Sequence, residues 1–329
     1  YDGSGAKFGV RKLELFVDSV PSFTVHFDHL DFDVNRYCNA HMDHALFKGS
    51  KMEYHRCYQQ PNNKLRIYGK EADQGRIELV PGRDRSIRLV ATDPNGNTSE
   101  LRFLLHGADQ TEARTWPDAP LIGSLFRYDT QNVLSEDGVS LTLAPNALYD
   151  DTYVRYERRP APPKAIVPLH VLHDPLTPMH SNNPLTLELP PLTASLANKA
   201  LIVRVDPDGR THAVGGNVAD GGITANIRAF GAYTVMIDTV APTIAPLDLK
   251  SEMLGRRAFR MKVSDDLSGL AKYTGTLDGK WVLLEYEPKT NTLTHTFDRY
   301  STGSGTRTFT LEVTDERGNS ARFSRTFTQ

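Results

Sequence analysis

Cysteine is nearly absent from this sequence, with only Cys38 and Cys57 in 329 residues. Two thiols cannot staple a small disulfide scaffold, and without a Cys-x-x-Cys spacing they do not form a structural zinc site. Long apolar runs are missing too, and no stretch approaches the roughly 18 residues of a membrane-spanning helix. Charge of one sign is also lacking: 38 Lys+Arg stand against 40 Asp+Glu, a formal net charge of -2. Such a chain has no bulk electrostatic attraction for nucleic acid or an anionic membrane surface. Hydrophobic residues nonetheless reach 39%, which excludes wholesale disorder. At roughly 150 residues per domain, the length predicts two or three domains.

Helical periodicity is scarce as well. The best window, Asn39 to Phe47, has no second turn of apolar positions to extend it. Period-two alternation is abundant instead: Leu13, Leu15 and Val17; Phe23, Val25 and Phe27; Ile87, Leu89 and Ala91; Leu101, Phe103 and Leu105. This is the pattern of half-buried strands. With 24 Gly and 20 Pro punctuating short strands, the sequence reads as all-β, built of antiparallel sandwiches.

The two ends of the chain repeat each other. Ile87 to Thr92, Asp93-Pro94-Asn95-Gly96-Asn97 and a strand over Glu100 to His106 match Phe309 to Thr314, Asp315-Glu316-Arg317-Gly318-Asn319 and a strand over Ala321 to Thr328. Asp accepts backbone N–H groups as the turn begins, and Gly supplies the positive φ, so both are hairpins. The upstream halves match also: Tyr1 to Gly5 and the strand to Ser19 resemble Asp265 to Gly269 and the strand to Gly279. In the C-terminal copy a further strand, Ala258 to Val263, precedes the acidic turn; the N-terminal copy begins at that turn. The first module is therefore expected to lack its first strand, leaving an open sheet edge that an upstream segment completes.

The boundaries follow from composition. Residues 1–107 form the first immunoglobulin-like module; 108–120, with Trp116-Pro117 and Pro120, read as a linker. A middle sandwich spans 121–238, with strands at Val139 to Leu148, Leu185 to Leu189, Ala200 to Val205 and Tyr233 to Ile237. Asp238-Thr239-Val240-Ala241-Pro242 opens the C-terminal immunoglobulin-like module, 239–329. Proline stiffens such a joint and cannot donate to a sheet ladder.

Phe8-Gly9-Val10-Arg11-Lys12-Leu13-Glu14-Leu15-Phe16-Val17-Asp18, Phe32 to Tyr37, Asn39 to Asp43, Gln60 to Tyr68, Tyr128-Asp129-Thr130 and Gly231 to Val235 together resemble the post-catalytic β region of lysostaphin/LytM-type zinc endopeptidases of the Bacteroidetes type. The middle module, around Leu143 to Leu148, also looks like the β-sandwich of ankyrins and netrin receptors. The first resemblance implies a peptidoglycan endopeptidase of the periplasm, outer membrane or cell surface whose zinc-bearing catalytic domain lies upstream. This chain would then be its accessory region, positioning or regulating that domain. The alternative is a structural or adaptor subunit of an outer-membrane or surface assembly. A third reading, a calcium-dependent adhesin, predicts sensitivity to chelators.

The family binds zinc through a His-x-x-x-Asp pair and a later His-x-His. His29 and Asp33 match the first spacing where the family has a non-catalytic strand and loop, and none of the 11 histidines forms a His-x-His. A zinc hydrolase needs three protein ligands and an open position, so no catalytic, cofactor-binding or metal-ligating residue is assigned. His26, His29, His41, His44 and His55, interleaved with Asp28, Asp31, Asp33 and Asp43, lack the spacing of a known structural metal site. The Asp93, Asp206 and Asp315 turns lack the further oxygen ligands of an EF-type calcium loop. No Gly-x-Ser-x-Gly elbow or phosphate loop occurs.

Two features remain. Cys38 and Cys57 are either a bridge across the polar insertion, expected in an oxidising compartment and stabilising by about 3 kcal/mol, or two free thiols. Tyr37, Tyr54, Tyr58 and Tyr68 punctuate the His-rich stretch and form the candidate binding surface, since exposed aromatics make stacking platforms.

Overall fold

The computed structural model describes residues 9–108 and 123–329. The linker expected over 108–120 lies, beyond Ala108, outside them. In the first module, alternation produces β1 (Lys12–Val17) and β2 (Val20–His26), then β3 (Asp84–Thr92) and β4 (Thr98–His106). They form one antiparallel sheet in the order β2-β1-β3-β4. A two-residue turn joins β1 to β2, with Asp18 and Ser19 both at positive φ, 50° and 69°. Such turns match the twist of the strands they join.

Leu15, Phe23, Val25 and Ile87 bury one face of this sheet. The layer over them differs from a second sheet. Among the described residues it is the excursion 27–83, which contributes Val34, Tyr37, Ala40, Leu65 and Ile67 to the same core. Two short helices fall in the window that periodicity barely marks, α1 (Cys38–His41) and α2 (His44–Ser50). Asp43 caps α2 by accepting from the Leu46 N–H at 3.0 Å, and Lys51 ends it at φ 60°. Cap chemistry, not an apolar stripe, defines α2, and none of its residues is buried.

The middle module runs through β5 (Ser124–Phe126), β6 (Asn132–Glu136), β7 (Val139–Leu143), β8 (Thr152–Val154), β9 (Tyr156–Arg159) and β10 (Leu169–Leu172). It continues through β11 (Pro178–Glu188), the helical turn α3 (Ala194–Ala197), β12 (Ala200–Val205), β13 (Thr211–Gly215), β14 (Asn217–Ala219), β15 (Gly222–Ala229) and β16 (Gly231–Ile237). Two five-stranded sheets result, β13-β12-β16-β10-β9 and β14-β15-β11-β7-β6, with a two-stranded pair β5-β8 beside them. Leu141, Leu143, Leu185, Leu187, Ile202 and Val235 point between them into one core. The strand expected to reach Leu148 stops at Leu143, where Asn183 Oδ1 accepts the Ala144 N–H at 3.1 Å.

The third module comprises β17 (Thr243–Pro246), β18 (Ala258–Ser264), β19 (Leu270–Leu277), β20 (Lys280–Val282), β21 (Glu285–Glu287), β22 (Thr292–Thr296), β23 (Thr306–Asp315) and β24 (Ser320–Thr328). Its sheets are β17-β18-β22-β21 and β20-β19-β23-β24. The second has the order of the first module's sheet, and the repeat extends to side chains. Asp18 accepts from Arg85 at 2.8 Å and from the Ser86 N–H at 2.9 Å. Asp278, in the matching hairpin, accepts from Arg307 and from the Thr308 N–H.

The modules differ in what lies over the last strand. In the third, Phe323 and Arg325, which the hairpin register makes the counterparts of Leu101 and Phe103, are half-buried, and Ser251 and Met253 hydrogen-bond to the Thr328 backbone at 2.8 Å each. In the first, Leu101 and Phe103 of β4 are paired in register with Leu89 and Ile87, hence on the core face. They remain 58% and 40% exposed.

The first and middle modules share a core residue. Tyr149, from the middle module, is buried among the first module's apolar residues. Its hydroxyl donates to the Arg36 carbonyl at 3.1 Å, and Arg36 donates to the Met179 carbonyl at 2.8 Å. Asn62 Nδ2 caps the carbonyls of Asn146 and Leu148 at 3.0 and 2.6 Å. Tyr149→Ala should destabilise the first module by about 3–5 kcal/mol, as for a buried aromatic, whereas Tyr149→Phe should cost about 1 kcal/mol. Denaturant-dependent hydrogen exchange of β1–β3 measures both; equal costs for the two variants would show that the ring is not a core element.

Candidate functional site

The four tyrosines expected to form a surface divide into two pairs. Tyr37 is buried, stacked on His180 at a centroid distance of 4.1 Å, and edge-on to Tyr149 at 5.8 Å. Tyr68 is mostly enclosed; its hydroxyl accepts from Asn63 Nδ2 at 2.7 Å and lies 3.0 Å from His41 Nδ1. Both therefore leave the candidate binding surface, because the excursion folds inward over the sheet face. Tyr54 and Tyr58 are exposed, but without the other two they make no platform.

The cysteines are corrected likewise. Cys38 and Cys57 stand as free thiols, both packed against the first core. Burial raises the pKa of each above the ordinary thiol value, so they serve as small, protonated packing groups. Gly75 helps seat this wall: at φ 83°, a Cβ there would meet the Cys57 carbonyl oxygen at 2.0 Å.

The histidines also separate. His29 pairs with Asp31 at 2.6 Å, and Asp33 with Arg66 at 3.2 Å, so the His29/Asp33 spacing belongs to surface ion pairs. His41 is buried and its Nε2 lies 3.0 Å from His55 Nδ1. Burial, followed by the charges of His55 and Arg56, lowers its pKa to about 4. Burial lowers His55 as well. These are neutral rings holding the excursion together.

One constellation has the character of a cation site. Asp238 after β16, Asp265 after β18 and Asp315 at the end of β23 each bring a carboxylate oxygen within 4.8 Å of the other two. Asp238 and Asp315 are each 1% exposed. Asp238 accepts from the Val240 and Ser268 N–H groups at 3.2 and 3.0 Å. Asp315 accepts from the Arg317 and Asn319 N–H groups at 2.8 Å each and from Asn319 Nδ2 at 2.6 Å. Asp265 Oδ2 accepts from Leu267 and Gly269 at 3.1 and 2.8 Å, while its Oδ1 is enclosed and has no hydrogen-bond partner.

Among the described residues no Lys, Arg or His forms an ion pair with these three carboxylates. The nearby cations bond elsewhere: Lys199 to the Arg317 carbonyl at 2.7 Å, and Arg317 to the carbonyls of Ala200 and Gly216 at 3.0 and 3.1 Å. Like charges at this spacing repel by roughly 3–4 kcal/mol per pair at an effective dielectric of about 20. Burial, then the charges of Asp238 and Asp315, correspondingly raise the Asp265 pKa. Among the described residues no other group of three or more His, Cys, Asp or Glu lies within ligating distance.

Phe32 of the first module is the most exposed aromatic among the described residues, at 92%, and it stands alone, whereas two others in the third module share a cleft. Trp281 and Tyr300, 67% and 77% exposed, border a cleft of about 340 Å³ with Lys280, Leu283 and Asp298. The sequence reading passed over both, because each stands singly among polar neighbours.

The Zu5-like domain family matches residues 123–238, the span of the two five-stranded sheets. No curated protein matches the chain. Fibronectin(III)-like modules of Clostridium thermocellum CbhA align at 12% identity over 44% of this chain and 84% of theirs, with a TM-score of 0.24. SGBP-B of the Bacteroides ovatus mixed-linkage glucan utilization locus, solved with a mixed-linkage heptasaccharide, aligns at 9% identity over 99% of this chain and 61% of its own, with a TM-score of 0.18. A 1.5-MDa bacterial ice-binding adhesin aligns at 10% identity over 99% and 87%, with a TM-score of 0.19.

His41 gives the first module a defined pH response. Its folded pKa, about 4, lies below its ordinary 6.5, so protons bind the unfolded chain first. Its contribution is complete above pH 6.5 and is lost as pH falls toward 4, by up to about 3 kcal/mol. Thermal unfolding between pH 7 and 4 should show this decline, and His41→Gln should flatten it. An unchanged slope in the variant would remove His41 as its source.

Proposed function

We propose that this chain is a non-catalytic accessory region of a cell-envelope zinc endopeptidase acting on peptidoglycan, and that its first module docks and positions the catalytic unit. The supporting observation is the uncovered core face at Leu101 and Phe103. The matching sheet of the third module is closed by β17, β18 and the chain between them. An apolar sheet face is buried by packing another layer against it. The catalytic unit supplies that layer in the proposed assembly, so docking both buries the face and fixes orientation. Resemblance to the post-catalytic region of such enzymes supplies the chemistry of the partner.

Two measurements test this. The purified chain should release no fragments from peptidoglycan with or without zinc; zinc-dependent turnover would overturn the accessory role. Used as bait on a native envelope extract, it should retain zinc-dependent peptidoglycan-cleaving activity, and Phe103→Glu should lose at least tenfold of it. Phe103 is already substantially exposed, so the variant's own stability should change by no more than about 0.5 kcal/mol. Retention of full activity by a folded Phe103→Glu bait would exclude β4 as the docking face.

A further inference from the structure

We infer that Asp238, Asp265 and Asp315 form a binding site for a hard divalent cation, calcium by its chemistry, which locks the third module onto the middle one. The three carboxylates come from three separate segments, one at the module joint and two from opposite sheets of the third module. Oxygens within 4.8 Å of one another suit a shared ion, because Ca²⁺–O distances of about 2.3–2.6 Å place opposed ligands about 4.6–5.2 Å apart.

Unpartnered oxygens on the residues of this cluster point to a ligand. Asp265 Oδ1 is enclosed without a partner. Ser268 is 7% exposed, its N–H sits on Asp238 Oδ2 at 3.0 Å, and its hydroxyl is likewise enclosed without a partner. Buried polar atoms are rarely left unpaired. A cation would neutralise the carboxylates and give the free Asp265 oxygen a partner, with the unpartnered Ser268 hydroxyl on a residue whose N–H already bonds to Asp238.

The chain contains its own control. Asp93 builds the same hairpin as Asp315, accepting from the Asn95 and Asn97 N–H groups at 2.8 and 2.9 Å and from Asn97 Nδ2 at 2.8 Å. That turn is exposed and belongs to no carboxylate cluster among the described residues. Making the hairpin therefore requires only one aspartate, and hairpin geometry leaves Asp238 and Asp265 unexplained. Both Asp315 and Asn319 reach the joint: Asn319 Nδ2 also donates to the Asp238 carbonyl at 3.0 Å.

Cation binding at the joint is independent of the accessory role proposed above. The test uses the full chain, stripped of metal and titrated with CaCl₂ by calorimetry and thermal unfolding. One site should bind and Tm should rise by several degrees, with MgCl₂ less effective because Mg²⁺ demands shorter, near-octahedral contacts. Asp265→Asn should weaken calcium binding at least tenfold, while its metal-free Tm equals or exceeds that of the unsubstituted protein because repulsion is relieved. Asp93→Asn should leave the calcium response unchanged. Absence of heat and of a Tm shift in the unsubstituted chain at millimolar calcium would overturn the inference. So would Asp265→Asn binding with undiminished affinity, or Asp93→Asn abolishing the response. Asp238→Asn provides a second variant with the same expected loss should Asp265→Asn not fold.

Discussion

Every sheet in this protein has an apolar face that something must cover, and the three modules meet that constraint with different material. The middle module sets one five-stranded sheet against another. The third sets a four-stranded sheet against its counterpart, with Phe259, Phe309 and Phe327 meeting between them. The first covers its sheet with an irregular excursion and with Tyr149 borrowed from its neighbour. Irregular backbone buries polar groups that need partners, which explains the density of side-chain hydrogen bonds there. His41, His55, Asn63 and Tyr68 are the fasteners of that layer rather than a reactive centre.

Much of the fold was legible because alternation and turn chemistry are local. Leu13 to Val17, Ile87 to Ala91 and Ala200 to Val205 fall on β1, β3 and β12, and the paired Asp-x-x-Gly-Asn turns fall between β3 and β4 and between β23 and β24. The all-β class follows directly. The excursion was not legible, because its burial comes from long-range closure: Tyr37 and Tyr54 look alike in sequence, yet one lies under His180 and the other faces solvent. The choice left open at Cys38 and Cys57, a bridge or two free thiols, was out of reach for the same reason, since spacing along the chain does not tell which wall a thiol packs on.

The aspartate cluster shows the same limit more sharply. Asp238 was visible as a joint residue, Asp265 as the start of an acidic turn and Asp315 as a hairpin residue, each with a sufficient local explanation. Only the closing of the third module's two sheets at the joint brings them together. Local sufficiency concealed a collective property, and the telling signs, an unpartnered Asp265 oxygen and an unpartnered Ser268 hydroxyl, exist only in three dimensions. Trp281 and Tyr300 escaped notice because neither belongs to a patterned run.

The rim of β4 has a consequence for the chain in isolation. An edge strand with exposed apolar residues on both faces, Leu101 and Phe103 on one and Leu104 on the other, is a template for its own kind, and two such rims brought together would fuse into one continuous ribbon. Glu100, on the face opposite Leu101 and Phe103, lies between Arg88 at 3.2 Å and Arg102 at 2.6 Å, so the rim carries one negative and two positive charges. Charges of this kind blunt an edge against pairing with a copy of itself.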